Sequence, residues 1–360
     1  MTARVTVCRF VDRANPDIAI IADAAARLRA GELVVFPTET VYGLGAHALD
    51  AAAVARIFAA KGRPSTDPLI VHVAHADALA QLTRDVPAAA HALAARFWPG
   101  PLTLVLHKRP EVPGIVTAGL DTVAVRVPAH PVARALLVAA GVPVAAPSAN
   151  RFSRPSPTTA AHVLADLDGE VDLVIDAGPT DIGVESTIVD CTVAPPVVRR
   201  AGGVPFDALA EVVPDLIVAD TVTDVRDAQT APGQLLRHYA PDARLTVYAG
   251  TPAAVVARLV SDARAHVGRG ARVGVLAPED DLMALAPEVA AAAARGRVVV
   301  ASLGPRDDPA AAARVLFGAL RTLDGERVDV IIAAGPARHG LGAAVWDRLR
   351  RAAEGRVIPV

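Results

Sequence analysis

Four residues gather the polar chemistry of the first half of the chain: Lys61 and Arg63 in KGRPSTDPLIVHV, and Ser148 and Asn150 in APSANRFSRPSP. An ammonium and a forked guanidinium converging on one point suit a phosphoryl or nucleotidyl transfer, in which oxygens gain negative charge. Ser148, Asn150, Ser153 and Ser156 sit between a strand-like VPVAA and a helix beginning near Thr158, where hydroxyls, an amide and free backbone N–H groups form an anion cradle. Each loop taken alone also reads as ordinary solvated turn chemistry. Composition singles out two of the four. The only lysines are Lys61 and Lys108 and the only asparagines Asn15 and Asn150. In a chain where arginine has displaced lysine almost everywhere, a surviving lysine or asparagine either marks a place where a substitute fails or survives by chance, Asn150 also reading as a cap, so Lys61 and Asn150 become candidates.

Other polar side chains stand at strand ends: Thr38, Thr40, His72, Ser186 and Arg200. Arg126 interrupts the apolar run VAVRVP, so its guanidinium is expected to be buried and to need an anion, either an acidic side chain or the carboxylate of a small ligand. Several familiar chemistries are missing. The chain has no G-x-x-x-x-G-K-[ST] loop, no Ser/His/Asp triad and no H-E-x-x-H motif. Gly43-Leu44-Gly45 imitates the start of a dinucleotide fingerprint, but it follows a polar turn and lacks the later ribose-binding acid.

The elements that must hold these residues follow from pattern. Asn15-Pro16 predicts a capped helix through Leu28 that stops at Gly31, and Asp50 predicts a second helix ending at Gly62, next to Lys61. Short β-branched runs predict strands at 32–36, 69–73, 102–106, 122–127, 172–176, 186–190 and 196–200, with PTETVYGLG as a turn-rich connection. Several connections are too short for parallel crossovers, which predicts a mixed α/β sheet domain over 1–210. Residues 211–243 read as a linker. From 244 to 360, LTVYAG, RVGVLAP, RVVVASLG and VDVIIAAG alternate with Ala-rich helices, the pattern of a smaller parallel α/β domain.

With 360 residues, 52% of them hydrophobic, the chain has material for two cores. A net charge of −2 supplies no global attraction to nucleic acid. The two cysteines, Cys8 and Cys191, make neither a disulfide framework nor a zinc module. Charges near the N-terminus and the lack of a long apolar stretch point to a cytoplasmic protein with no membrane association.

Taken together, PTETVYGLG, KGRPSTDPLIVHV, WPGPLTLVL, TAGLDTVAVRVP, APSANRFSRPSPT, GVESTIVD and RHYAP resemble the YrdC-like family of threonylcarbamoyl-AMP synthases in its two-domain form. The resemblance implies a mixed twisted-sheet catalytic domain followed by a smaller Rossmann-like domain. It implies that L-threonine, bicarbonate and ATP are joined into threonylcarbamoyl-adenylate and pyrophosphate, with Mg2+ accompanying ATP. Partner proteins would then transfer the group to adenosine 37 of tRNA, any direct tRNA contact being weak. Carried over by motif, Thr40, His72, Arg126, Ala146 and Ser186 would meet threonine. Lys61, Arg63, Asp67, Thr122, Ser148, Asn150, Ser156, Arg200 and Tyr239 would meet ATP, with Lys61 and Arg63 stabilising the charge of the reaction. Ala201 follows Arg200 where the family pattern has proline, and Gln234-Leu235-Leu236 depart from the family's linker. Two other readings stay open: carbamoyl transfer in hydrogenase maturation, whose paired zinc cysteines are missing here, and a non-catalytic RNA-binding or regulatory module using the same cations.

Overall fold

The computed structural model describes residues 5–219, 229–233 and 235–360; position 234 and most of the polar linker segment lie outside the described residues. The chain forms two compact units, one made of Met1–Phe152 with Ser156–Leu235, the other of Ser153–Pro155 with Leu236–Val360.

The first unit is built on a mixed sheet of eleven described strands. At its centre run, side by side, Val144–Ala145, Ile70–His72, Thr122–Arg126, Leu102–His107, Thr187–Asp190 and Val197–Arg200. Alternation of side chains along these strands separates two environments. Val71, Val123, Val125, Leu102, Leu104, Leu106 and Val189 enter the main core, where the helices Ala51–Lys61, Ala88–Phe97 and Ala160–Leu167 cover them. On the opposite face, the half nearer the N-terminal strands is sealed by the helices Ile18–Arg29 and Pro131–Ala140 through Ile21, Leu28, Val132 and Leu136. The other half carries no helix-packed core. It has only a small apolar cluster of Ile70, Val105, Ala124, Ile188 and the linker residue Ala231. His72 and Arg126 alternate with core-facing Val71 and Val125 and so share the face of Ile70 and Ala124.

Local sequence explains the elements, with three corrections. The first helix is capped by Asp17, whose carboxylate accepts from the N–H groups of Ala19 and Ile20, not by Asn15. Gly43–His47 is a strand and not the end of a turn. Gly45 has to be glycine because a Cβ there would lie 2.8 Å from the Phe36 ring; the Gly43-Leu44-Gly45 triplet is thus a packing device. Edge strands at Val7–Phe10 and Val357–Pro359, largely exposed, carry no alternating apolar signal. The expected Asp50 cap is present, accepting from Ala52 and Ala53, and the helix closes at Gly62 in the left-handed region with φ +64°.

The second unit holds five parallel strands in the order Val298–Ser302, Val273–Ala277, Val330–Ala334, Arg244–Ala249, Val357–Pro359. Helices connect every consecutive pair. No helix among the described residues is long and apolar enough to cross a membrane.

Gly62 turns the chain between Lys61 and Arg63 at the helix end, and its φ strains an L-residue with a side chain. Gly62→Ala has room for its methyl, so the expected outcome is a loss of about 1 kcal/mol from backbone strain alone, checked by urea denaturation.

Candidate active site

Lys61 ends its helix with its side chain buried. Its ammonium donates to the carbonyls of Ser148 and Asn150, both at 2.6 Å, while its own carbonyl accepts the Phe152 N–H at 2.8 Å. A buried ammonium must be satisfied, and here the acceptors are main-chain oxygens of the serine-rich loop. The same loop is tied from its other side: Ala149 N–H bonds to the Tyr42 carbonyl and Leu44 N–H to that of Pro147. Lys61 therefore fixes the conformation of the Ser148–Asn150 turn. The Asn150 amide in turn donates to the Arg151 carbonyl at 2.7 Å.

Arg63 is folded back on its own loop. Nε donates to the Asp67 carbonyl, one terminal nitrogen donates to Pro68 at 2.7 Å, and the guanidinium meets the Asp67 carboxylate at 2.8 Å. Burial pushes the Asp67 carboxyl up from its ordinary value; the charges of Arg63, Lys61 and Arg200 and the Gly233 N–H pull the other way. Arg200 gathers a third loop. It donates to the Ser186 carbonyl and hydroxyl, and at 3.2 Å to the linker carbonyl of Pro232. Gln229 N–H bonds to Thr66. The described linker residues 229–233 thus lie on the KGRPSTD loop and on Arg200.

Arg126 has the buried anion that its sequence demanded. One terminal nitrogen donates to Glu39 at 2.6 Å, the other to the Thr40 hydroxyl at 3.0 Å, and Nε to the Gly100 carbonyl. Three of the five N–H bonds of the guanidinium have these partners. Glu39 Oε2, also buried, has no hydrogen-bond partner among the described residues. His72 is the strand neighbour of Arg126 in register, and the Phe36 ring stands edge-on to it at 6.3 Å. Burial, then the charge of Arg126, depresses the His72 imidazole to about 3. Ser186 shares a hydrogen bond with Thr103 at 2.8 Å. The Ala146 N–H is taken by the Ile70 carbonyl.

The face arranges these groups in order. Arg126, Ala124 and Thr122 alternate with core-facing Val125 and Val123, so Thr122 lies about 13 Å from Arg126 along one strand. Thr40, His72 and Ser186 gather at the Arg126 end through strand register and shared hydrogen bonds. Ser156, fully buried, donates to Glu185 at 2.5 Å. Tyr239 belongs to the second unit, where it packs at 5.4 Å from Phe317 and under the guanidinium of Arg348. Sequence reasoning missed Glu39, Glu185 and Thr103. The only available signal for the two acids was a lone glutamate in each of two otherwise uncharged motifs, PTET and GVES.

Comparisons with known proteins decide the family. Residues 26–202 match the family described as telomere recombination, Sua5/YciO/YrdC, and residues 204–354 match the threonylcarbamoyl-AMP synthase C-terminal domain. Threonylcarbamoyl-AMP synthase of Pyrococcus abyssi is 46% identical over 94% of this chain and 95% of its own length. The chain belongs to the threonylcarbamoyl-AMP synthase family. The Bacillus subtilis member is 44% identical over 94% of each chain. The crystal structure of P. abyssi Sua5 complexed with L-threonine superposes with a TM-score of 0.88 at 43% identity, covering 99% of both chains.

Two outcomes follow from the geometry. Lys61→Met leaves two buried carbonyls without their donor and is expected to lose about 1–3 kcal/mol of stability, read by urea denaturation; Lys61→Arg, too bulky and planar for two diverging carbonyls, should not restore it. For His72, the unfolded chain takes up a proton near pH 6.5 while the folded imidazole stays neutral down to about 3. Its contribution to stability is full above pH 6.5 and is lost as pH falls towards 3. His72→Gln is expected to flatten that acid slope by up to about 1.4 kcal/mol per pH unit, measured by denaturant titrations from pH 7 to 4.

Proposed function

We propose that this chain is a threonylcarbamoyl-AMP synthase that joins L-threonine, bicarbonate and ATP into threonylcarbamoyl-adenylate and pyrophosphate. One observation carries the reading beyond family membership. The first unit holds a buried guanidinium at Arg126 with three of its five N–H bonds taken, and a separate cationic group of Lys61, Arg63 and Arg200 around Asp67. An amino-acid carboxylate suits the first group and a triphosphate the second.

In this reading Arg126 orients the threonine carboxylate, with Thr40, His72, Ser186 and the backbone near Ala146 shaping the rest of that end. A neutral His72 can offer or accept a hydrogen bond without adding charge. The amine joins bicarbonate to give a carbamate, whose oxygen attacks the α-phosphorus as pyrophosphate leaves. No covalent enzyme intermediate is needed, so proximity and charge stabilisation supply the acceleration. Arg63 and Arg200 oppose phosphate charge. Lys61 acts by holding the Ser148–Asn150 turn, whose hydroxyl and amide face the nucleotide along with Ser156 and Thr122.

Mg2+ would arrive on ATP, because this ion keeps water and phosphate ligands and asks for only one or two carboxylates. Asp67, a buried carboxylate set among the cations, fits that demand. When bound, the ion would neutralise charge on the leaving pyrophosphate. The adenylate would pass to cytoplasmic proteins that modify tRNA, with at most weak tRNA contact by this chain. The functional division we assign is a catalytic region 1–210, a linker 211–243 and a C-terminal region 244–360.

The deciding assay incubates purified protein with ATP, labelled bicarbonate and each amino acid in turn, and measures pyrophosphate and labelled adenylate. Product is expected with threonine far above other amino acids. Absence of threonine-dependent product would sink the reading, and salt-sensitive RNA binding without product would favour the non-catalytic alternative.

A further inference from the structure

Away from the face just described, a cavity of about 610 Å3 opens in the first unit between the segment after strand Ile70–His72, the helix Ala88–Phe97 and the helix Pro131–Ala140. Its polar lining comes from His75, Asp77, His91 and Arg134, and its aromatic lining from Trp98. Leu79, Val86 and Val127 contribute apolar wall. This is the composition of a small-molecule site: a concave apolar surface with a few convergent polar groups.

Arg134 makes the cavity more than a dent. It is half-buried, and among the described residues its guanidinium has neither hydrogen bond nor ion pair. His75, His91 and Asp77 are exposed and form the cavity's rim, so Arg134 and Trp98 are its half-buried groups. Other arginines of this unit have partners, acidic ones for Arg13, Arg27, Arg56, Arg84 and Arg199 and main-chain carbonyls for Arg29 and Arg109. The wall beside them is rigid. The Trp98 indole N–H donates to the Leu102 carbonyl at 2.7 Å, and its backbone N–H to Ala94. Gly100, two residues on, is held from both sides, its N–H by Val127 and its carbonyl by Arg126.

The lining discriminates between ligand classes. A bare anion would leave the indole and the apolar wall unused, and a neutral apolar compound would leave the guanidinium unpaired. A nucleoside monophosphate uses all of them: phosphate on the Arg134 fork, a base on the indole, and a ribose hydroxyl donating to Asp77. We propose that this cavity is a second nucleotide site, separate from the ATP site and specific for a nucleoside monophosphate. The adenylate-forming reaction read above makes AMP the natural probe, and to that extent the proposal rests on that reading.

Equilibrium dialysis of labelled AMP against the full chain tests it, comparing the parent protein with Arg134→Ala, Arg134→Glu and Arg63→Ala. The expected result is two AMP per chain for the parent, one for Arg63→Ala, and one for either Arg134 variant, whose affinity at the second site falls at least tenfold. Arg134 holds no partner, so both of its variants are expected to keep the parent's melting temperature. A single AMP that survives both Arg134 changes and disappears in Arg63→Ala overturns the second site while leaving the ATP reading intact. A single AMP lost only with Arg134 supports the second site and counts against the ATP reading. Inorganic phosphate or adenosine displacing the Arg134-dependent AMP as well as unlabelled AMP does would overturn the nucleotide assignment.

Discussion

A buried ammonium has to spend its donors inside the protein, and in this chain that requirement organises the loops around Lys61. Lys61 is delivered by the end of one helix and satisfied by two main-chain carbonyls from a loop 87 and 89 residues further along the sequence. Because the partners are backbone atoms, the contact sets the path of the loop and not merely the place of one side chain. The turn carrying Ser148 and Asn150 cannot move without uncovering a charge in a low-dielectric setting. Arginine cannot take over, since its planar fork is built for parallel acceptors on one group. The scarcity of lysine in the chain thus has a local physical meaning at this position.

The same logic recurs around the sheet. Arg126 is held by Glu39, Thr40 and Gly100; Arg200 by Ser186 and Pro232; Arg63 by Asp67 and Pro68. Each cation is fixed by several acceptors before any substrate arrives, so little reorientation remains to be done on binding. Carbonyl acceptors have a further advantage over carboxylates: they immobilise a guanidinium without cancelling its charge. Glu39 and Asp67 are the two exceptions, and each stands beside a group assigned to handle an anion.

Much of the fold was legible because its strands announce themselves. TVAVR and LTLVLH alternate or run apolar with β-branched or leucine residues, and both became strands within a residue of expectation. Legibility failed where a different force ruled. Gly43–His47 is a strand despite its glycines because Phe36 needs the space, a tertiary fact invisible to local pattern. Asp17 displaced Asn15 as the cap because it stands one residue before the helix. At the site, residue types pointed to cations and hydroxyls, but not to what holds them. Backbone carbonyls leave no trace in a sequence, so the roles of Lys61 and Arg63 as partners of main-chain oxygen could not be read.

Ala231 closes the apolar cluster of Ile70, Val105, Ala124 and Ile188 on the face that helices leave open. Ala231 and Pro232 are therefore part of the first unit's own packing, although they follow its last long strand in sequence. A boundary drawn at the end of the sheet, the obvious place to cut when isolating this unit, would strip that cluster to water and remove the Pro232 carbonyl from Arg200. The first compact unit extends through residues 229–233 to Leu235, and its modularity is a property of packing, not of where the sheet ends.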